Sequence, residues 1–311
     1  MIPDALRPIV ERALQAAFGT TAIDDVAPVA GGMRSALACR VVVAGRPYFV
    51  RIGATTLVDP AVELANTRAA AAAGLAPRVW YGNAADHILV ADFVARAPLP
   101  RDFASIVGAK LARVHALPQW PKTIHFLTTL ELFLKRMQRS DADDVLARYV
   151  ELAAVYPRDA DIVACHNDLK PQNLIFDGER LWLVDWEAAF GNDRYADLAI
   201  VASFFEAHED TYLGAYFRAP PTDYQRARFY LARCATHLSY VAFLTVLAAR
   251  AGVTAQPTPD FRAFHDGLIT GAIELADDAC KLQYANAHLA AARAATSSPR
   301  FAEALAVVRG G

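Results

Sequence analysis

Hydrophobic and polar positions follow two different periods along the chain, and the switch between them divides it. Residues 4–18 carry apolar side chains at helical spacing and stop at Gly19, a residue suited to the position after a helix. A strand-rich stretch follows. Residues 26–30 read as a strand, Gly31-Gly32 as a turn, and 36–43 and 48–52 as a hairpin around Gly45-Arg46-Pro47. Residues 61–73 form an alanine-rich helix ended by Gly74. Residues 78–81 and 87–93 read as two more strands around Gly82-Asn83.

After Phe93 the period lengthens. Residues 102–116, 127–139 and 142–156 have helical spacing. One small β insert interrupts them, at 162–165, 174–176 and 181–184, with Asp177-Gly178 as a turn. From Ala196 onward almost everything reads helical. The pattern predicts an α+β chain with a small five-stranded N-terminal lobe and one helix, residues 1–94. A short connector near 92–98 leads to a larger helical lobe, residues 95–311.

Composition narrows the function. Of 311 residues, 55% are hydrophobic and 21% charged, so a sizeable core is available and global disorder is excluded. The net charge of −2 argues against a nucleic-acid binder. Cys39, Cys165, Cys234 and Cys280 lie far apart with no C-x-x-C pair, which suits a reducing, cytoplasmic setting. The first residues show no signal-peptide pattern, and the apolar run 240–249 is too short to span a bilayer, so no membrane partner is expected.

Several common signatures are absent: G-x-x-x-x-G-K-[ST], G-x-G-x-x-G, G-x-S-x-G and H-E-x-x-H. One segment is dense in chemistry. His166-Asn167-Asp168-Leu169-Lys170-Pro171-Gln172-Asn173 is followed by a short strand pair and then Val184-Asp185-Trp186-Glu187. Polar residues at both ends of a hairpin are brought back together by the turn. Asp168, Asn173 and Asp185 thus offer three oxygen groups converging on one point, and hard cations such as Mg²⁺ take such oxygens alongside substrate phosphates. A carboxylate that is not a metal ligand can accept a proton from a hydroxyl. A base, a metal-holding amide and carboxylate, and an electrostatic cradle are the parts of phosphoryl transfer. The N-terminal lobe supplies complements: Gly31, Gly32 and Ser35 for backbone and hydroxyl contacts to phosphate, and Arg51 on a strand with Glu63 on the next helix. Read singly, each of these is equally a turn, an edge-strand charge or a solvated helix face.

Together these residues resemble the choline/ethanolamine kinase branch of the aminoglycoside phosphotransferase group, over roughly residues 26–215. The resemblance rests on Gly-Gly-Met, Tyr-Phe-Val-Arg-Ile, Glu63-Leu-Ala-Asn66, His-Asn-Asp-Leu-Lys-Pro-Gln-Asn, Val-Asp-Trp-Glu and Asn-Asp-Arg-Tyr-Ala-Asp-Leu-Ala, in that order. It implies a protein-kinase-like two-lobed fold and an enzyme that uses ATP and Mg²⁺ to phosphorylate a small-molecule hydroxyl. It further implies that Asp168 is the catalytic base, that His166 orients its loop, and that Asn173 and Asp185 hold Mg²⁺. Arg51 would bind ATP phosphates with Glu63 in support, residues 31–35 would cover those phosphates, and Asp92, Phe93 and Val94 would form the hinge that meets adenine. Asp197 would brace the catalytic loop.

The acceptor is read from charge and rings. Residues 161–197 hold eight acidic and three basic residues, a net −5, which favours a cationic alcohol. Glu187, Trp186, Glu206, Tyr240 and Phe243 are the substrate candidates, with Tyr195, Phe204 and Phe205 as further rings for a cation–π cage. The chain departs from the resemblance where choline kinases carry an acidic residue seven positions after the equivalent of Asp197. Phe204 stands there, and Tyr240 and Phe243 replace a tryptophan pair. Aminoglycoside, thiamine or another amino-alcohol are alternative acceptors, and a catalytically silent nucleotide-binding protein is the alternative of another class.

Overall fold

Helix α1 (Arg7–Phe18) closes on Gly19, whose φ of 72° lies in the left-handed region that glycine enters without a Cβ penalty. In this computed structural model the described residues are 2–29, 35–53, 59–205, 208–270, 272, 273, 275 and 277–311, with backbone only at Ser35, Ala36 and Ile269. Gly31, Gly32 and Glu206 lie outside them. The chain divides into two compact units, residues 1–103 with 171–189, and residues 104–170 with 190–311.

The first unit is built on an antiparallel five-stranded sheet. Its strands are β1 (Asp25–Pro28), β2 (Ser35–Val43), β3 (Arg46–Gly53), β4 (Val79–Asn83) and β5 (Ile88–Asp92), in the order β1-β2-β3-β5-β4. Alternation along β3 sends Tyr48, Val50 and Ile52 into a core shared with Val10, Ala13 and Leu14 of α1. Phe49 and Arg51 therefore fall on the other face of the strand. A second helix, α2 (Pro60–Ala72), starts where the Asp59 side chain accepts the Ala61 N–H at 2.8 Å, with proline in its first turn. Both helices of this unit, α1 and α2, stand where the pattern placed helical spacing, at 4–18 and 61–73.

The expected boundary at 94/95 also shifts. Arg96 donates to the carbonyls of Pro171, Gln172 and Leu174, and the Ala97 N–H donates to the Phe176 carbonyl at 2.7 Å. The hairpin of β6 (Leu174–Phe176) and β7 (Leu181–Leu183) is tied to the N-terminal unit again by the Leu183 N–H on the Leu75 carbonyl. Backbone pairing, not chain position, decides where these residues belong.

The second unit is helical around one small ribbon. Strands β8 (Ile162–Cys165) and β9 (Phe190–Asp193) pair antiparallel, so the three expected insert strands do not form one sheet. Strand β9 escaped the pattern because Gly191, Asn192 and Asp193 are poor strand formers. Helices α3 (Phe103–Val114), α4 (Phe126–Leu134), α5 (Asp143–Val155), α6 (Arg194–Phe204), α7 (Glu209–Phe217), α8 (Asp223–Arg250), α9 (Phe261–Thr270), α10 (Asp278–Ser297) and α11 (Pro299–Gly310) complete it. Helix α4 stops before its expected end at 139, where Arg139 turns to donate to Asn286 at 2.7 Å. At Gly108 a Cβ would sit 2.5 Å from the Tyr212 carbonyl, so glycine there allows α3 and α7 to approach.

Helix α8 is long and apolar enough to cross a membrane by length and composition alone. Yet 72% of its apolar stretch is buried, and it packs against α4, α6, α10 and α11. It is the core helix of this unit.

Candidate active site

In the first unit, the Arg51 guanidinium of β3 donates to the Glu63 carboxylate of α2. Both side chains are largely buried. One turn further along α2, Asn66 donates its amide to the Ala189 carbonyl at 3.0 Å. Residues three apart share a helix face, so the spacing Glu63-x-x-Asn66 ties α2 both to the sheet and to the turn after Asp185.

The Arg51 guanidinium also lies 3.9 Å from the Asp185 carboxylate. Asp185 sits at φ 67°, ψ 66°, a left-handed conformation that aspartate and asparagine tolerate better than most residues. Across the β6–β7 hairpin, the Val184 N–H donates to the Asn173 carbonyl at 3.1 Å. The hairpin register thus fixes Asn173, which is buried, beside the residue preceding Asp185. An amide and a carboxylate at neighbouring positions across the hairpin are ligand types that a hard cation such as Mg²⁺ takes, and the guanidinium 3.9 Å from Asp185 is of the kind that binds phosphate.

In the second unit, the loop after β8 is pinned from below by Asp197 of α6. One oxygen of that carboxylate accepts the Asn167 N–H at 2.7 Å, and the other accepts the His166 N–H at 2.8 Å. His115 Nε2 of α3 contacts the same carboxylate at 3.1 Å, and Tyr216 meets His115 Nδ1 at 2.6 Å. Burial pushes the Asp197 carboxyl up, but the bond and charge of His115, the charge of His166 and its backbone N–H together hold it below the usual carboxylate range. His115, Cys165 and Asp197 are metal-ligand types grouped within 4.8 Å. The hydrogen bonds just described already use the Asp197 oxygens, and they account for the group without an ion.

Asn167 is also left-handed, at φ 65°, and its side chain is held by the Asn192 amide at 2.8 Å and the Phe190 carbonyl at 3.2 Å. His166 is fully buried, and its Nδ1 accepts the Asp168 N–H at 3.4 Å. His166 therefore shapes the loop from beneath. Asp168 itself is partly exposed, and the Lys170 ammonium donates to its carboxylate at 2.7 Å.

The remaining candidates separate. Asp92 is held by the Trp80 indole N–H at 2.8 Å and by Arg46 at 3.3 Å, and Phe93 lies under the Arg40 guanidinium. Phe93, Val94 and Glu187 are partly exposed. Trp186 is 1% exposed and donates its indole N–H to the Leu183 carbonyl, so it is packing in the first unit and offers no ring face to an acceptor. Tyr195 is likewise buried, against the Arg228 guanidinium. Phe243 packs edge-on against Phe133. Tyr240 is different. Burial pushes its phenol up, with the Asp168 carboxylate adding to that shift, and its ring stacks on the His288 ring with centroids 4.4 Å apart.

Sequence reasoning missed His115, Tyr216, Asn192 and the histidines around Tyr240. His115 gives only a faint signal, a single histidine in the apolar run Leu111-Ala112-Arg113-Val114-His115.

A 44-residue stretch is 43% identical to the protein LicA of Haemophilus influenzae, covering 14% of this chain and only 16% of that protein. A choline/ethanolamine kinase family protein from Mesorhizobium loti has the same fold, with a TM-score of 0.75 at 22% identity over all of both chains. The choline kinase LicA of Streptococcus pneumoniae superimposes with a TM-score of 0.63 at 16% identity, over 93% of this chain and all of that one. Both likenesses establish a protein-kinase-like α+β fold. Residues 25–230, about two-thirds of the chain, match the phosphotransferase enzyme family, and the chain belongs to it.

Proposed function

We propose that this phosphotransferase transfers the γ-phosphoryl group of ATP to the hydroxyl of a small cationic amino-alcohol of the choline or ethanolamine type. The observation that carries the reading is the Arg51 guanidinium, set against Glu63 and within 3.9 Å of Asp185, with Asn173 fixed alongside. A buried strand cation that faces a potential metal carboxylate has an obvious use in gripping nucleotide phosphates.

In this reading Asn173 and Asp185 hold Mg²⁺, which neutralises charge on the phosphates when bound. Arg51 binds phosphate oxygens, and Glu63 keeps its side chain aimed. Asp168 accepts the proton from the acceptor hydroxyl as the new O–P bond forms. The bond from the γ-phosphorus to the bridging oxygen breaks, and ADP leaves with that electron pair. His166, Asn167 and Asp197 hold the Asp168 backbone in place. The sequence assigns residues 31–35 to the phosphates, 31–34 lying outside the described residues, and Asp92, Phe93 and Val94 to the adenine. A soluble, cytoplasmic enzyme fits four cysteines that all stand unpaired.

Support for a cationic acceptor comes from the net −5 of residues 161–197. It comes also from the likeness to a choline/ethanolamine kinase family protein and to LicA. The deciding experiment has two stages. Nucleotide binding is followed by thermal shift with and without Mg²⁺, and ATP turnover is then measured over a panel of choline, ethanolamine, thiamine, aminoglycosides and neutral alcohols. Mg²⁺-dependent ATP binding with turnover on the amino-alcohols is expected. Binding without turnover on any acceptor would instead mark a silent nucleotide-binding protein.

A further inference from the structure

The connector after β5 grips the turn that presents Asn173. Residues 171–173 form one short turn that runs straight into β6, and the carbonyls of 171–174 are taken from two sides. Arg96 Nη1 donates to the Leu174 carbonyl at 2.8 Å and to the Pro171 carbonyl at 3.3 Å, and Nη2 donates to the Gln172 carbonyl at 3.1 Å. The remaining carbonyl, of Asn173, accepts the Val184 N–H at 3.1 Å and so ties the turn to the residue before Asp185. One residue after Arg96, the Ala97 N–H donates to the Phe176 carbonyl at 2.7 Å and sets the connector alongside β6. All of these residues belong to the first unit.

Arg96 is exposed overall, yet its guanidinium converges on three carbonyls of a single turn. Pro171, Asn173 and Leu174 are buried, and buried carbonyls need partners. A planar fork with several fixed N–H donors can serve three carbonyls at once, whereas an ammonium of the same charge donates from one point. The gripped carbonyls at 172 and 174 flank Asn173. Rotation of the backbone at Asn173, which would re-aim its side chain, must therefore break at least one of these bonds.

We propose that Arg96 is a positioning residue for the Mg²⁺ ligands: by gripping the carbonyls on both sides of Asn173, it keeps that amide in register with Asp185. This rests on the reading of Asn173 and Asp185 as the metal pair. Arg96 touches neither the ion nor the phosphates in this scheme.

Two substitutions separate geometry from charge. Arg96→Met removes both the fork and the charge, and Arg96→Lys removes the fork alone. The Mg²⁺ midpoint of ATP binding should rise about 10-fold in Arg96→Met and about 3-fold in Arg96→Lys, with Mg²⁺-free ATP affinity within about twofold, because groups that orient metal ligands act through the metal. If only the charge mattered, Arg96→Lys would match wild type and Arg96→Met would bind Mg²⁺ more tightly, and that outcome overturns the proposal. Val10→Ala, in the α1 core, loosens the same unit without touching the turn and should leave the midpoint in place. A shift in Val10→Ala as large as in Arg96→Met would assign the effect to general loosening and also overturns it.

Amide hydrogen exchange of the nucleotide-free protein reads the turn without metal. In Arg96→Met the Val184 N–H, bonded to the Asn173 carbonyl, should exchange about 10-fold faster, while the neighbouring Leu183 N–H, bonded to the Leu75 carbonyl, changes less than about twofold. Equal acceleration of both amides, or of neither, overturns the proposal. If wild type binds ATP with no dependence on Mg²⁺, the metal reading of Asn173 and Asp185 fails, while the exchange result still judges whether Arg96 fixes the turn.

Discussion

Asp197 accepts the backbone N–H of Asn167 at 2.7 Å from the opposite side of the loop that presents Asp168. Two neighbouring amides on one buried carboxylate leave the loop little freedom. Asp197→Asn keeps the shape but must turn an NH₂ group toward at least one of those N–H donors. A loss of about 1.5–3 kcal/mol in urea unfolding is expected at pH 7, the value of hydrogen bonds to a charged group. The carboxyl is held below its ordinary value, so its stabilisation is present above the unfolded pKa, about 3.9, and disappears as pH falls through the folded value. Wild type should therefore lose stability below about pH 4 by more than the asparagine variant does. Parallel curves from pH 6 to 2 would refute that origin.

Asp168 is the partly exposed carboxylate at the end of this braced loop. As the base it should contribute about 10²–10⁴-fold to turnover. Asp168→Asn should lose that factor in kcat while ATP affinity changes little, because Arg51, Asn173 and Asp185, the groups proposed to hold the phosphates and Mg²⁺, belong to the first unit. Near-normal turnover in this variant removes Asp168 from the role.

Asp185 and Asn173 carry different charges, and their variants should differ accordingly. Asp185→Ala removes the carboxylate that offsets Mg²⁺ and should shift the Mg²⁺ midpoint of nucleotide binding upward by 10-fold or more, roughly 1.4 kcal/mol. Asn173→Ala removes a neutral amide and should shift it less. Identical midpoints for wild type and Asp185→Ala would end the assignment of this residue as a ligand.

The sequence made local geometry easier to read than long-range contact. The nearness of Asn173 to Asp185 along the hairpin was readable because a strand pair of known length returns the chain to its start. Arg51 and Glu63 stood out as a cation among apolar strand residues and an acid on the next helix. His115 did not, because one histidine on an apolar helix looks like packing until Asp197, 82 residues away in the chain, is placed beside it. Strand β9 was hidden by Gly191, Asn192 and Asp193, whose strand conformation comes from pairing with β8. Trp186 misled in the opposite sense. Its position beside Asp185 suggested a wall for a cation, whereas the short turn after β7 folds the indole inward. The histidines around Tyr240 come from three helices, and no spacing rule links them.

The acceptor preference follows from charge and ring chemistry together. A fixed positive charge gains from the net −5 of residues 161–197 and, in the proposed reading, from the Tyr240 ring, whereas a neutral alcohol of the same shape gains neither. The difference should be on the order of 1–3 kcal/mol, roughly 5- to 150-fold in kcat/KM. Salt separates the two sources. Exposed carboxylates are screened over a Debye length of about 8–10 Å, while a ring contact excludes the ions that would screen it. Raising the ionic strength should therefore remove only part of the preference, and Tyr240→Leu should remove much of what salt leaves. The measurement is a competition between choline and its uncharged isostere 3,3-dimethylbutan-1-ol under ATP turnover, at low and high salt. Equal kcat/KM values would leave the phosphoryl chemistry standing and rule out recognition by charge. A preference that vanishes entirely at high salt would assign it to the carboxylates and exclude the ring.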